Sequence, residues 1–303
     1  MQQTNIGGTI PYIGEIFSLA TALTWAMAVI LFKKSGESVH PIALSLFKDV
    51  LAIGLLIPTI YIMYGNLSYR ADFYDYLILF ISGCLGIGLG DTLFFMSLNK
   101  LGASLIAVVD CLYSPAVIIL SFLFLGENLS LYQMIGVILI VAAIAVVIEI
   151  RSSGPISKQN LYLGILLGIL SILANALGIV IVKPILEKTP ILWATQIRLM
   201  GGVVVLILAL LFQRRRRPIL RSLISIGSWP YTFIGSFMGA YVSMMLWLGG
   251  MKYTQASISA SLNQTSNIFV FVFAAIFLKE TMGIRKILAI ILAVLGAFIV
   301  MFL

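Results

Sequence analysis

The chain has 303 residues, of which 61% are hydrophobic and only 10% are charged, and its formal net charge is +8. Soluble domains carry roughly 25% charged residues. This composition, with a mean hydropathy of +1.12, therefore excludes a soluble globular protein and predicts a polytopic membrane protein. A single His and two Cys residues argue against His-based catalysis and against a structural zinc site, so we expect no cofactor and no metal ion.

Ten apolar runs are long enough to cross a bilayer core, which requires about 20 helical residues. They cover residues 13–32, 42–64, 76–97, 101–125, 131–149, 161–183, 191–212, 230–250, 255–278 and 284–302. Most connections are short, and the segment 150–160 at the midpoint has the composition of a linker. We therefore predict an all-α membrane protein with ten transmembrane helices, divided into two five-helix repeats at 1–150 and 151–303.

The two halves of the sequence match when one is shifted by 150 to 153 residues. The matching residues are Gly86 and Gly239, Ala103-Ser104 and Ala256-Ser257, Glu127 and Glu280, Lys33 and Lys183, and Lys48 and Arg198. Because each half has an odd number of predicted helices, the second copy enters the membrane from the opposite face. Inverted repeats of this kind are typical of secondary transporters, whose binding site lies near the midplane between the repeats.

Local sequence motifs carry a family resemblance. They are Leu101-Gly-Ala-Ser104, Ser114-Pro115 and Phe124-Leu-Gly-Glu127 in the first half, and Ala256-Ser257 and Leu278-Lys-Glu280 in the second. The second half has Ile268 where the first has its proline. The chain resembles the drug/metabolite transporter superfamily, and within it the EamA-type ten-helix carriers. This resemblance implies a carrier of amino acids, nucleosides, drugs or other metabolites.

The distribution of Lys and Arg predicts an orientation. One set of loops holds Lys33, Lys34, Lys100, Arg151, Lys158, Arg214, Arg215, Arg216, Arg217, Arg221, Lys279, Arg285 and Lys286, and the other holds Arg70, Lys183, Lys188 and Lys252. The richer set belongs in the cytoplasm by the positive-inside rule, which places both termini outside. The family resemblance implies cytoplasmic termini instead, so both orientations stay open.

Polar side chains inside the apolar runs are the first candidates for a site, because a charge at the bilayer centre costs about 2.5–3.5 kcal/mol. Asp110 and Asn263 occupy matched positions near mid-depth. Ser114 and Asn267 follow them by four residues, and on a continuous helix they share the same faces. The two polar stripes either line one substrate or proton site or tie helices together by hydrogen bonds.

Aromatic and amide side chains form a second group of substrate-binding candidates. Trp25 and Asn175 occupy matched positions in helices that border the central cavity in carriers that resemble this one. Tyr241 and Trp247 are candidate aromatic walls of the same cavity. The alternative for all three aromatic residues is helix packing or an interfacial belt.

The intramembrane charges suggest how transport is coupled. Asp91 and Asp110 are the candidate proton-coupling carboxylates. Lys48 and Arg198 lie near the starts of two predicted helices, and they are either charge partners for Asp110 or members of structural ion pairs.

The leading functional hypothesis is a secondary transporter that exports small metabolites, such as amino acids or related compounds, by alternating access, with protons as a candidate coupling ion. The alternative is a passive pore or a flippase for lipid-linked substrates. An enzyme is not expected, since the sequence has no H-E-x-x-H, G-x-S-x-G or P-loop motif. The expected partners are a small-molecule substrate and the lipid bilayer of the cell (inner) membrane, with no nucleic acid.

Overall fold

The computed structural model describes residues 12–66, 69–125, 131–132, 134–136, 138–139, 142, 157–214, 216–224, 227–280 and 283–302. The helices of the first half are α1 (Ile13–Ser35), α2 (Pro41–Tyr64), α3 (Phe73–Ser82), a π-helix π1 (Gly83–Gly90), α4 (Asp91–Leu101), α5 (Ala103–Asp110) and α6 (Tyr113–Leu125). Those of the second half are α7 (Lys158–Lys188), α8 (Ile191–Leu211), α9 (Arg216–Arg221), α10 (Trp229–Ser236), a π-helix π2 (Phe237–Ser243), α11 (Met244–Tyr253), α12 (Ala256–Asn263), α13 (Thr265–Phe277) and α14 (Ile284–Phe302).

Eight helical stretches within the described residues are long and apolar enough to span a membrane. They are Ile13–Ser35, Pro41–Tyr64, Phe73–Leu101, Ala103–Phe124, Lys158–Lys188, Ile191–Leu211, Trp229–Tyr253 and Ile258–Phe277. The predicted fifth span, 131–149, falls mostly outside the described residues. The predicted tenth span corresponds to α14, in which the apolar stretch Ile287–Gly296 is shorter. The chain is therefore a multi-pass membrane protein.

The first helix of each half packs against helices of the other half. Helix α1 lies against α11 and α13 of the second half, and α7, the first helix of the second half, lies against α4 and α6 of the first half. These contacts bury apolar side chains from both halves in one core, which includes Phe32, Phe95, Ile179 and Leu248. The space between the halves is therefore bordered by α1 on one side and by α7 on the other.

A π-helix interrupts the third span of each half at matched positions. The two segments, π1 and π2, hold Gly86 and Gly239 at matched positions of the repeat. A Cβ atom on Gly83 would lie 1.8 Å from the backbone oxygen of Arg198, and one on Gly239 would lie 2.9 Å from the Phe32 ring. Only glycine permits these close helix contacts, as small-residue packing in membranes requires.

Lysines at matched positions bind the C-terminal ends of the helices that follow the π-helices. The Lys33 ammonium donates to the carbonyl oxygens of Leu98 and Asn99, at 3.3 and 3.4 Å, in the last turn of α4. The Lys183 ammonium likewise donates to the carbonyl oxygens at the end of α11, those of Met251 and Thr254. A cation there donates to carbonyl groups at the C-terminal end of the helix and interacts favourably with the negative end of its dipole.

Glu280 caps a helix of the opposite half. Its carboxylate accepts from the backbone N–H groups of Ala103, at 2.9 Å, and Ser104, at 3.3 Å, and from the Ser104 hydroxyl. It therefore binds the N-terminus of α5, next to Gly102, whose φ of 83° suits a residue without a side chain. Glu127, the matched residue of the first half, lies outside the described residues.

Replacing Glu280 by glutamine is expected to lower the free energy of unfolding by about 1–2 kcal/mol, because a neutral amide accepts more weakly from the helix N-terminus than a carboxylate does. The measurement is denaturant unfolding of the purified protein in detergent. Glu37→Gln is the matched control, since the Glu37 side chain is 61% exposed and its contact with Lys34 is 4.0 Å long. Equal stability of the two variants would contradict the capping role.

Candidate functional site

A cavity lies between the two halves. Its lining residues are Thr21, Trp25, Asp91, Phe94, Asp110, Tyr113, Ser171, Ile172, Asn175, Gly239, Ser243, Met244, Trp247 and Asn263. The mixture of apolar walls with a few polar groups is typical of small-molecule sites.

The lining follows the internal repeat of the sequence. Five pairs of lining residues occupy matched positions, namely Thr21 and Ser171, Trp25 and Asn175, Asp91 and Met244, Phe94 and Trp247, and Asp110 and Asn263. The first member of every pair belongs to the first half and the second member to the second half. The two halves therefore contribute the same positions of their helices to one shared cavity, but with different side chains.

Asp110 and Asn263 reach the cavity at breaks in their helices. Helix α5 ends at Asp110, and α6 begins at Tyr113 after a turn in which the N–H groups of Cys111 and Leu112 donate three residues back. In the second half, α12 ends at Asn263 and α13 begins at Thr265. The sequence analysis predicted each of these spans as one continuous helix.

The second break shows that proline is not required for the interruption. Pro115 lacks a backbone N–H, so it leaves the Cys111 carbonyl without its usual helical partner. The second half has Ile268 at the corresponding place, and its helix is broken all the same. Discontinuous helices of this kind form the substrate and ion sites of many secondary transporters.

Asp91 belongs to a buried ion-pair cluster at the wall of the cavity. The Lys48 ammonium lies 2.5 Å from Oδ1 of Asp49 and 2.7 Å from Oδ2 of Asp91. Lys48 and Asp49 are buried, and Asp91 is 13% exposed on the cavity side. Lys48 was a predicted charge partner for Asp110, but in the structure its partners are Asp49 and Asp91, because α2 places it beside the start of α4.

Arg198, the other predicted charge partner, lies behind the aromatic wall. It is 1% exposed, and its guanidinium carbon is 5.3 Å from the centre of the Trp247 ring. Its Nε and Nη1 groups are buried and make no hydrogen bond within the described part of the chain. A cation over an indole face is attracted by the ring quadrupole, so Trp247 separates this charge from the cavity and partly compensates it.

Three predicted substrate-binding residues lie outside the cavity lining. Ser114 is buried in α6, and the Asn267 amide donates to Oε1 of Gln264 at 2.5 Å. The spacing of four residues that placed Ser114 beside Asp110 holds only on a continuous helix, and the break removes it. Tyr241 lies in π2, and its hydroxyl is 2.6 Å from the Thr59 hydroxyl. A binding role for these three residues stays a prediction.

Several lining residues were missed by the sequence analysis. Thr21 and Ser171 precede Trp25 and Asn175 by one helical turn and match each other in the repeat. Applying the repeat to small hydroxyl side chains, and not only to charged and amide ones, would have found this pair. Tyr113 has no comparable signal, because its place in the lining depends on the turn that follows Asp110.

Comparisons with known proteins agree with this architecture. The profile of the EamA-like transporter family matches residues 12–149 and again residues 162–302. A solved structure described as "Crystal structure of protein" superposes with a TM-score of 0.71 at 15% identity, covering 94% of this chain and 95% of that one. This likeness shows a shared fold.

Relatives identified by sequence carry transporter names. An "Uncharacterized transporter" of Archaeoglobus fulgidus is 24% identical over 283 residues, which are 93% of this chain and 95% of that protein. An "Uncharacterized transporter" of Methanothermobacter thermautotrophicus is 26% identical over 78% of this chain and 67% of its own length. An "Uncharacterized transporter YvbV" of Bacillus subtilis is 31% identical over 46% of each chain. The repeated family match covers nearly the whole sequence, and the chain belongs to the EamA-like transporter family.

Proposed function

We propose that the protein is a secondary carrier that exports small metabolites, such as amino acids or related compounds, across the cell (inner) membrane. The observation that carries the proposal is the cavity lined by matched positions of both halves. If residues 1–150 and 151–303 are inverted repeats, rocking one half against the other exposes this cavity to each side in turn. Binding and alternating access require no bond chemistry, so the protein acts as a transporter and not as an enzyme.

We further propose that protons drive transport through Asp110. Its carboxyl group lines the cavity at the end of α5, and no ion pair to it exists within the described part of the chain. The neutral side-chain amide of Asn267 interacts with it, and a carboxylate without a counter-ion in a site of low dielectric constant favours either a proton or a cationic partner. Asp91 is less suited to this role, because the Lys48 ammonium already forms an ion pair with it at 2.7 Å.

The proposal is tested with the purified protein in liposomes that contain a pH-sensitive dye. Amino acids and amines are added outside one at a time, and the proton flux that each one elicits is measured against its concentration. A carrier gives a flux that saturates, whereas a passive pore gives one that rises linearly with concentration. If the flux rises linearly with concentration for every compound that elicits it, the carrier proposal is wrong and the protein is a passive pore.

The Asp110→Asn variant is expected to reduce the accumulation of substrate driven by a pH gradient at least ten-fold, because an amide does not exchange a proton in this range. Asp72→Asn is the matched control, since Asp72 is exposed at the start of α3 and makes no side-chain capping bond; it should accumulate substrate like the unmodified protein. Undiminished accumulation by Asp110→Asn would remove this residue from the coupling mechanism.

A further inference from the structure

The charges in and around the cavity do not balance. Five charged side chains line the cavity or contact its lining within the described residues, namely Lys48, Asp49, Asp91, Asp110 and Arg198. Two cations therefore face three carboxylates, when all are ionised. Lys48 offsets one of the two carboxylates that share it, Asp49 and Asp91. Arg198, behind Trp247, offsets the other through its electrostatic interaction with Asp91. The remaining negative charge belongs to Asp110.

Neutral polar groups of the lining also lack partners. Oδ1 of Asn263 and the hydroxyl group of Tyr113 are buried, and neither makes a hydrogen bond within the described part of the chain. Tyr113 is only 8% exposed, and both residues line the same cavity as Asp110. An amide oxygen and a carboxylate are acceptors only. A ligand that satisfies Asn263 and Asp110 together must therefore bring hydrogen-bond donors, which a ligand carboxylate does not have.

Aromatic rings form part of the same cavity lining. Trp25 and Phe94 line the cavity with their ring centres 5.7 Å apart, and Tyr113 and Trp247 add two further rings. Aromatic faces attract cations, most strongly where water is excluded. Arg198 already occupies one position over the ring of Trp247, which leaves Trp25, Phe94 and Tyr113 as the faces offered to a ligand.

We infer that the cavity binds a protonated primary amine with a net charge of +1, whose ammonium group lies between Asp110, Asn263 and Tyr113 and whose apolar part packs against Trp25 and Phe94. The single positive charge matches the single unpaired carboxylate, and the three N–H groups of an ammonium match the three acceptors. This inference rests on the proposed carrier function and narrows its substrates to organic amines. A proton and the amine then compete for the same carboxylate, which links their movement in opposite directions.

The test compares three ligands that share a phenyl ring and differ in charge: 2-phenylethylamine, phenylalanine and 3-phenylpropionate. Binding to the folded state raises the apparent melting temperature in a concentration-dependent manner, so the full-length protein in detergent is melted at pH 7 across a series of each ligand. We expect 2-phenylethylamine to bind at least ten-fold more tightly than phenylalanine, and 3-phenylpropionate to give no shift. Lowering the pH should weaken amine binding, because protons compete for Asp110.

Asp110→Asn is expected to weaken the binding of 2-phenylethylamine more than ten-fold, whereas Asp72→Asn should leave it unchanged. If Asp110→Asn does not fold, the ranking of the three ligands on the unmodified protein decides the question. Equal or tighter binding of phenylalanine or 3-phenylpropionate would overturn the inference, as would the absence of any shift with millimolar 2-phenylethylamine. If binding contradicts the inference in this way but a zwitterion gives a saturable flux in the liposome assay, the proposed carrier function is supported and only the preference for amines is rejected.

Discussion

Replacing Lys48 by methionine is expected to destabilise the protein by about 3–5 kcal/mol, because removing one partner of a buried ion pair leaves the other charges uncompensated. Lys48 is 2% exposed and is the shared partner of Asp49, at 2.5 Å, and Asp91, at 2.7 Å. Methionine fills a similar volume, so the loss measures charge and not packing. Denaturant unfolding in detergent gives the free-energy difference.

Lys34→Met provides the control for this substitution. The Lys34 side chain is 38% exposed and lies 4.0 Å from Glu37, and exposed pairs of this kind contribute about 0–1 kcal/mol. Removing all three charges in Lys48→Met/Asp49→Asn/Asp91→Asn should recover most of the lost stability, because no buried charge then remains unpaired. If Lys48→Met is as stable as Lys34→Met, then Lys48, Asp49 and Asp91 are not all ionised in the folded protein.

Replacing Gly83 by alanine should prevent the accumulation of folded protein or destabilise it by about 3 kcal/mol or more. The added Cβ would lie 1.8 Å from the backbone oxygen of Arg198, and a backbone atom cannot move aside as the end of a flexible side chain can. Helix α8 would have to separate from π1, and overpacking of this kind costs about 1–3 kcal/mol even where the neighbours are side chains. The yield of monodisperse protein and its melting temperature are the measurements.

Gly54→Ala is the control, and its effect should have the opposite sign. Gly54 lies within α2 and has no atom within 4 Å of the position that a Cβ would take. Alanine is favoured over glycine in a helix by about 0.5–1 kcal/mol, so this variant should be as stable as the unmodified protein or slightly more stable. Wild-type stability of Gly83→Ala would mean that π1 and α8 are not packed this closely.

The positions of the spans could be predicted because apolar length alone determines what crosses a membrane. The predicted third span, 76–97, corresponds to an observed stretch of Phe73–Leu101, and the predicted sixth span, 161–183, corresponds to Lys158–Lys188. The errors are at the helix ends, where polar residues continue the helix beyond the apolar run. The break after Asp110 was not predicted, because hydropathy does not change there.

The cavity lining could be predicted where it depends on one residue and its repeat partner. Asp110, Asn263, Trp25 and Asn175 were selected in this way, and all four line the cavity. The selection of Ser114 and similar residues depended instead on helical spacing, which a break or a π turn alters. The buried contact between Lys48 and Asp91 joins α2 to α4, and no local pattern in the sequence encodes a contact between distant helices.

The π-helices change the direction in which the side chains that follow them point. A π turn bonds each residue to the one five places on, whereas an α turn bonds it four places on. Each such turn therefore takes in one additional residue, and it rotates every following side chain by about 100° relative to an uninterrupted α-helix. Asp91 follows directly after π1, and Met244 follows directly after π2. The direction in which these two side chains point is thus set by the number of residues upstream. A single insertion or deletion in either π-helix would turn different side chains toward the cavity without substituting Asp91 or Met244.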